Sequence, residues 1–196
     1  MKRSVGVWQL MGFAVTSLLG TILHFLYDWL GGSVLSAPFS GVNESTWEHM
    51  KLMFWPMFFY ALFERAFFKK RSDFWCIKLR GLIVGLFLIP ILFYSYNGII
   101  GPSPDLINIA IFFVAAAIAY VYETKLFDRN ETKCHMPYIA LFLICIIAVL
   151  FIAFTFAPPT IGLFRDPITK DYGIVQNSIV SGAFPKDENV AEAFFI

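Results

Sequence analysis

The chain has 196 residues, of which 58% are hydrophobic and 15% are charged, and its formal net charge at pH 7 is +1. A soluble domain of this size could not bury so much apolar side chain, so the composition excludes a soluble globular protein and indicates a multi-pass protein of the cell membrane. The bilayer is its expected partner, and the small net charge provides no basic field that would attract nucleic acid. The three cysteines show no spacing typical of a metal site or a disulfide framework.

Five apolar segments are long enough to cross a bilayer as helices, which requires roughly 20 residues each. They cover about residues 5–27, 52–68, 79–96, 105–122 and 137–157. Pro56 and Pro90 lie inside the second and third segments, and Pro104 precedes the fourth, where a first-turn proline is tolerated. The sequence therefore predicts an all-α polytopic helix bundle with about five transmembrane helices.

The basic residues predict an orientation, because cytoplasmic loops carry an excess of Lys and Arg. With the amino terminus inside, the inner side carries Lys2, Arg3, Arg65, Lys69, Lys70, Arg71, Lys78, Arg80, Lys125, Arg129 and Lys133. The outer side then carries only Lys51, Arg165, Lys170 and Lys186. We therefore expect residues 1–157 to form the bundle with an outer loop at 28–51, and residues 158–196 to form an extracytoplasmic tail packed on it. The polar residues that orientation does not explain gather on the outer side.

The densest polar cluster is residues 42–51, directly before the second apolar segment. Ser45 and Glu48 fit a capping box, in which Ser45 accepts from the N–H of Glu48 and the Glu48 side chain returns to the N–H of Ser45. A helix is therefore predicted to begin directly after Ser45. This role explains Ser45 and Glu48 but not Glu44 and His49.

His24 and Asp28 lie four residues apart near the outer end of the first helix, so they share one face. Ionisable groups at membrane depth are costly and usually face the bundle interior. Two interpretations stay open: a metal site in which Asp28 is a ligand or holds the histidine, or a helix-end pair that closes on itself. Glu64 and Arg65, at the opposite end of the second segment, are expected to snorkel to the inner interface.

Glu44 and His49 are expected at the same outer level as His24 and Asp28. Histidines and carboxylates at one level are typical of a site for a divalent metal such as zinc, with His24, Asp28 and His49 as the candidate ligands. Glu44 and His49 are equally candidates for a catalytic acid–base pair in hydrolysis. The spacing matches no zinc-peptidase motif, so a polar loop held together by hydrogen bonds stays open as a third interpretation.

Three other polar features have simpler explanations. Asp105 is favoured at a helix start by the helix dipole, and is otherwise a further candidate ligand. Arg165 and Asp166 are expected to pair with each other, with an anionic headgroup as the alternative partner of Arg165. A serine nucleophile at Ser45, activated by His49, would have to abandon the helix cap, so it ranks below the other interpretations.

The cluster resembles a family of small bacterial integral membrane proteins that is classed only as a domain of unknown function. The segments that carry the resemblance are 24–29 (HFLYDW), 42–52 (VNESTWEHMKL), 164–167 (FRDP) and 172–174 (YGI). The most specific part is the string Asn-Glu-Ser-x-Trp-Glu-His-x-Lys. The resemblance implies the same five-helix topology and assigns no activity. A weaker similarity, in chemistry alone, is to zinc-dependent lipid amidases of the alkaline ceramidase type, although this chain lacks their late His-x-x-x-His pair and has fewer spans.

Three functions compete. A membrane-embedded hydrolase, metal-dependent and acting on a lipid or lipid-linked substrate at the outer leaflet, requires His24, Asp28, Glu44 and His49 to converge. A transporter or binding protein for an ion or small solute requires a polar path that continues inward, whereas the visible polar residues stop in the outer third. A non-catalytic membrane partner requires the outer polar residues to pair off and leave no pocket. The first is favoured, because two histidines and several acids at one level exceed what capping needs.

Overall fold

The computed structural model describes residues 2–129, 134 and 136–174, without the side chains of residues 2, 3 and 105. Its helices are α1 (Lys2–Trp29), α2 (Thr46–Arg65), α3 (Phe74–Ile99), α4 (Asp105–Phe127) and α5 (Pro137–Phe156), followed by one 3-10 turn at Gly162–Phe164. Helices α1, α3, α4 and α5 are long and apolar enough to cross a membrane. The predicted all-α, multi-pass membrane bundle is therefore confirmed for the described part of the chain.

The helices extend beyond the apolar segments that predicted them. Helix α3 begins at Phe74 instead of about residue 79, and α4 runs to Phe127 instead of about residue 122. Hydropathy marks where a segment can meet lipid, whereas a helix continues wherever its backbone hydrogen bonds can form. The added turns matter because they carry Lys78 and Glu123 into the bundle.

Helix α2 is the centre of the bundle, since it contacts each of the other four helices and the 3-10 turn. It carries four charged residues, and three of them, Glu48, Lys51 and Glu64, are buried. Its neighbours bury these three side chains, so the charges find partners on protein. The predicted snorkelling of Glu64 to the inner interface is wrong, because this side chain is fully buried.

The loop between α1 and α2 folds back over the outer end of both helices. The N–H of Gly41 donates to the carbonyl of Leu23 at 3.2 Å, and Nε1 of Trp55 donates to the carbonyl of Pro38 at 2.8 Å. These bonds fix the path of the chain between residue 30 and the start of α2. The loop thus passes directly beside the turn of α1 that carries His24.

The described part of the tail, residues 158–174, lies against α2 and α5. Phe164 is buried, and its ring centroid is 4.6 Å from that of Trp47 at the start of α2. The Trp47 ring also packs against Phe151 of α5, with the centroids 4.5 Å apart and the rings tilted by 39°. Residues 175–196, the remainder of the tail that is predicted to pack on the bundle, lie outside the described residues.

Cys76, in the first turn of α3, and Cys134, in the connection before α5, form a disulfide with their Cα atoms 6.2 Å apart. The spacing of the cysteines gives no indication of this pair. The two cysteines are 58 positions apart, so only the packing of α3 beside the α4–α5 connection brings them together. The pair lies at the end of the bundle that carries most of the basic residues.

At the predicted cytoplasmic end, Cys76 and Cys134 should be thiols in the living cell, because cytosolic disulfides are rare. We expect an alkylating reagent added to acid-quenched cells to label both, and the same reagent added to aerated membranes to label neither before reduction. Cys76→Ser is the control, since it leaves Cys134 reactive under both conditions. A disulfide already present in acid-quenched cells would contradict the predicted orientation.

Candidate metal centre

Ser45 caps α2, as predicted. Its Oγ accepts from the N–H of Glu48 at 3.4 Å. The predicted return bond from Glu48 to Ser45 is wrong: the Glu48 carboxylate accepts from the N–H of Val42 at 3.1 Å, and the N–H of Ser45 donates to Oδ1 of Asn43 at 2.9 Å. Asn43 therefore completes the cap, which leaves Glu48 available to a buried cation.

That cation is Lys51, whose side chain is fully buried. Its Nζ lies 2.5 Å from Oε2 of Glu48, and it donates to the carbonyl of Ala37 at 2.8 Å and to Oγ1 of Thr155 at 3.0 Å. An ammonium has three hydrogens, so every one has a partner. These bonds connect the outer loop, α2 and α5 to one another. Lys51 lies close in the chain to the turn that carries Glu44, which we call the Glu44 turn.

Asp166 holds the tail to the same turn. Its carboxylate accepts from the N–H of Glu44 at 3.1 Å, and from those of Ile168 and Thr169 at 2.6 and 3.1 Å. The predicted pairing of Asp166 with Arg165 is wrong, because these backbone donors occupy the carboxylate. The Arg165 guanidinium instead donates to the carbonyl of Lys170 at 3.2 Å.

Asn43 makes a second link between the outer loop and the tail. Its Nδ2 donates to the carbonyl of Gly173 at 3.0 Å. Gly173 has a φ of 61°, which favours glycine, and its Cα lies so close to Pro158 that an added Cβ would approach the proline ring to 2.9 Å. Glu44 is thus placed by its chain neighbours and by the tail.

His24, Glu44 and His49 converge at this point. Oε2 of Glu44 lies 3.6 Å from Nε2 of His24 and 3.6 Å from Nε2 of His49. One ligand atom from each residue lies within 4.8 Å of the other two, which is close enough to hold a metal ion. The three residues belong to α1, the outer loop and α2, so the tertiary fold assembles the group and no local motif does.

The electrostatics of the group suit a cation. The His24 imidazole holds the pKa of the Glu44 carboxyl below its usual range, and the attraction of His49 adds to this effect while partial burial opposes it. Nδ1 of His49 lies 3.0 Å from the carbonyl of Ser45. We assign the proton to Nδ1 on this contact, which leaves the Nε2 lone pair directed at Glu44, as in many metal-binding histidines.

Asp28 does not join the group. It is exposed one helical turn beyond His24, which is about 6 Å further along the α1 axis. Glu44 takes the place for which Asp28 was a candidate, because the loop returns to the level of His24 and not to the end of α1. The side chain of Asp105, the other candidate, lies outside the described residues.

A cleft opens beside Glu44 and His49, with a cavity volume of about 60 Å³. Thr46 and Asn108 add polar groups to its wall, and Pro167 and Ile168 of the tail complete its lining. The deeper part is apolar and is lined by Ile89, Phe93, Ile111 and Phe112. At about 10–15 Å³ per water, the space holds roughly four to six waters or one small polar group.

Sequence reasoning missed a second polar group, in the half of the bundle that is predicted to face the cytoplasm. Glu64, Lys78 and Glu123 are buried together there, so the inference that buried polar residues stop in the outer third is wrong. An apolar layer that includes Met53, Ala115 and Ala119 belongs to the core between the two groups. The sequence does carry one signal for this buried group, which is a polar residue about one turn from the inner end of several helices. The same pattern is typical of residues that set the orientation of the protein in the membrane or that snorkel to the interface.

The fold and the His24–Glu44–His49 group define a polytopic helical membrane protein with a candidate metal centre at one face. The sequence model of DUF6512, a family of unknown function, matches residues 1–174, so the chain belongs to that family and the resemblance seen in the sequence is confirmed. The match includes Asp166 and Gly173, which hold the Glu44 turn. No curated protein and no solved structure matches the chain.

Proposed function

We propose that this protein is a membrane-embedded, metal-dependent hydrolase that acts on a lipid or lipid-linked substrate at the outer leaflet. The observation that carries the proposal is the convergence of His24, Glu44 and His49 from three separate segments. Two histidines and one glutamate are the ligand set of several catalytic zinc sites, in which a fourth position stays open for water.

The distances support a zinc-sized ion. With zinc–ligand bonds of about 2.0–2.1 Å and tetrahedral geometry, neighbouring ligand atoms lie about 3.4 Å apart. The two separations to Glu44 are 3.6 Å, and the ligand atoms of the two histidines lie within 4.8 Å of each other, so the histidines would have to approach by up to about 1.4 Å to complete the site. Glu44 and His49 also line the cleft, which gives a water in the open position access to a substrate.

The chemistry follows from this arrangement. His24, Glu44 and His49 would hold a divalent metal, which would supply a water activated near neutral pH for hydrolysis of a carbonyl or phosphoryl linkage. The reaction would consume one water and release the acid and the alcohol or amine of the cleaved bond. His24 and His49 act as neutral ligands, and Glu44 as the anionic ligand that offsets part of the metal charge.

The shape of the cleft supports a substrate with a polar linkage and an apolar chain. The polar wall near Thr46 and Asn108 meets the apolar floor within one space of about 60 Å³. This volume accommodates a single small polar group such as an ester or amide linkage, so the chain of a lipid would remain in the bilayer. The proposed substrate is therefore defined by its linkage, with its tail left in the membrane.

Elemental analysis of detergent-purified protein tests the proposal. We expect close to one zinc or other transition metal per chain in the wild type, and its loss in His24→Ala and in His49→Ala. His135→Ala is the matched control, because it removes the one remaining histidine of the chain and should retain the metal. Size-exclusion profiles establish that each variant is folded.

Hydrolysis of a panel of fluorescent ester, amide and phosphodiester lipids by the metal-loaded protein provides the second test. Activity lost in Glu44→Gln and in both histidine variants would support the hydrolase. A metal-free wild type with folded, unaffected variants would remove it. The favoured function would then be that of a non-catalytic membrane partner, in which Glu44 bridges the two histidines.

A further inference from the structure

Three buried charges meet in the inner half of the bundle, independently of the outer centre. Nζ of Lys78, on α3, forms an ion pair with Oε2 of Glu64, on α2, and lies 2.5 Å from Oε2 of Glu123, on α4. The side chains of both glutamates are at most 1% exposed and that of Lys78 is 4% exposed. One cation is therefore shared by two carboxyl groups, so the three residues would carry a net charge of −1 if all were ionised.

The surroundings of Lys78 show that it is the fixed positive charge of the triad. Its Nζ lies 5.5–5.9 Å from the centroids of four aromatic rings, namely Tyr60, Phe74, Tyr120 and Phe127. Aromatic faces attract an ammonium ion and offer little to a neutral amine. The unbalanced charge therefore belongs to the carboxyl groups.

The other ionisable side chains described at this level have different partners. The Arg65 guanidinium donates to the carbonyl of Phe68 at 2.7 Å, Arg71 pairs with Asp73, and Arg80 is exposed. Tyr60 and Tyr120 face the triad with neutral hydroxyl groups that lie 2.6 Å from the carbonyl of Trp8 and 2.7 Å from Oγ1 of Thr16. Among the described side chains, Lys78 is therefore the cation in contact with Glu64 and Glu123.

The two glutamates are not equivalent. Glu64 accepts a hydrogen bond from Nε2 of Gln9 at Oε1, at 2.6 Å, and its Oε2 is in ion-pair contact with Lys78 although it has no hydrogen-bond partner. Glu123 accepts from Lys78 at Oε2, but its Oε1 is buried with neither an ion-pair contact nor a hydrogen-bond partner. An uncompensated carboxylate oxygen in a dry interior is far more costly than the neutral acid. Glu64 is thus the better-stabilised anion of the pair.

We propose that the Glu64–Lys78–Glu123 triad is an intramembrane proton-binding site, in which Glu123 carries one proton at neutral pH and the triad is electrically neutral. The ligand is a single proton at the inner end of the bundle. Glu123→Gln then reproduces the protonated state, since it keeps the shape and the neutral charge. Glu64→Gln removes the stabilised anion, so Glu123 must release its proton in order to pair with Lys78.

Infrared spectroscopy of the purified protein at pH 7 tests the site directly. We expect a carbonyl stretch of a protonated carboxyl group in the wild type that is absent from Glu123→Gln and also from Glu64→Gln. The wild-type-minus-variant difference removes signals from other acids, including Glu48. A wild type without this band, or a band that survives in Glu123→Gln, would overturn the proposal.

The pH dependence of unfolding in mixed micelles provides a second measurement. The folded wild type would hold a proton that the unfolded chain has released at neutral pH, so its stability must fall as pH rises. We expect the unfolding equilibrium constant to increase by up to about tenfold per pH unit relative to Glu123→Gln. Equal slopes for the two proteins would contradict proton binding. Replacing potassium with sodium at constant ionic strength gives one more outcome. If sodium stabilises the wild type but not Glu123→Gln, proton binding is contradicted, because the ligand would then be a metal cation.

Discussion

Replacing Lys51 with methionine is expected to lower the free energy of unfolding by about 3–5 kcal/mol, because the substitution leaves the Glu48 carboxylate buried without its cation. Glu48 is only 2% exposed and would keep a single donor, the N–H of Val42. The bonds of Lys51 to the carbonyl of Ala37 and to Thr155 would be lost as well. Unfolding of the purified protein in mixed micelles, followed by helix content, measures the change.

Two further variants make this result interpretable. Glu48→Gln combined with Lys51→Met removes both charges, so the double variant should recover a large part of the loss. Lys125→Met changes an exposed lysine and should shift stability by no more than about 0.5 kcal/mol. If Lys51→Met alone is as stable as the double variant, the loss of Lys51 does not leave the Glu48 carboxylate as a costly unpaired charge. The ion pair then does not hold the outer loop.

Asp166→Ala is expected to weaken zinc binding by about 10–100-fold, the usual cost of losing a group that orients a metal ligand. Asp166 belongs to the tail and is not one of the three candidate ligands. Its carboxylate accepts the N–H of Glu44 together with two N–H groups of its own turn, so its removal frees the Glu44 turn from the tail. Competition for zinc with a chromophoric chelator measures the affinity.

Asp171→Ala is the matched control for this substitution. Asp171 lies in the same turn, but its side chain is exposed and it contacts Asp166 through its main-chain carbonyl. We expect it to bind zinc as the wild type does. If Asp166→Ala binds zinc with wild-type affinity, the outer loop positions Glu44 without the tail. The tail then makes no contribution to the metal centre.

The sequence predicted the helices and the outer level of the site because both depend on local properties. The length of each apolar run defines a span, and the Ser45 cap defines the start of α2. Helix positions alone also bring His24 and His49 to one level. The choice between Glu44 and Asp28 depends on the path of the loop, which Asn43 and Asp166 fix through bonds to residues more than 100 positions away along the chain.

The inner triad could not be predicted for a related reason. Helices that are apolar on every face give little periodic signal, so the sequence does not show which side of a helix points inward. Lys78 was counted only as an orientation signal, and Glu123 lay beyond the predicted end of its span. A charged residue near a helix end can lie at the membrane interface or in the core of the bundle. Only the crossing of α2, α3 and α4 decides between these two positions.

The central position of α2 has a consequence for how the chain is made. Each charged residue near the middle of a membrane helix opposes insertion by about 2.5–3.5 kcal/mol, and the cost falls towards the helix ends. Two of the groups that accommodate the α2 charges, Thr155 of α5 and Lys78 of α3, are synthesised after α2, whereas Gln9, Ala37 and Val42 precede it. During translation the α2 charges therefore have partners only on α1 and on the preceding loop. We expect their burial to be completed when α3 and α5 join the bundle.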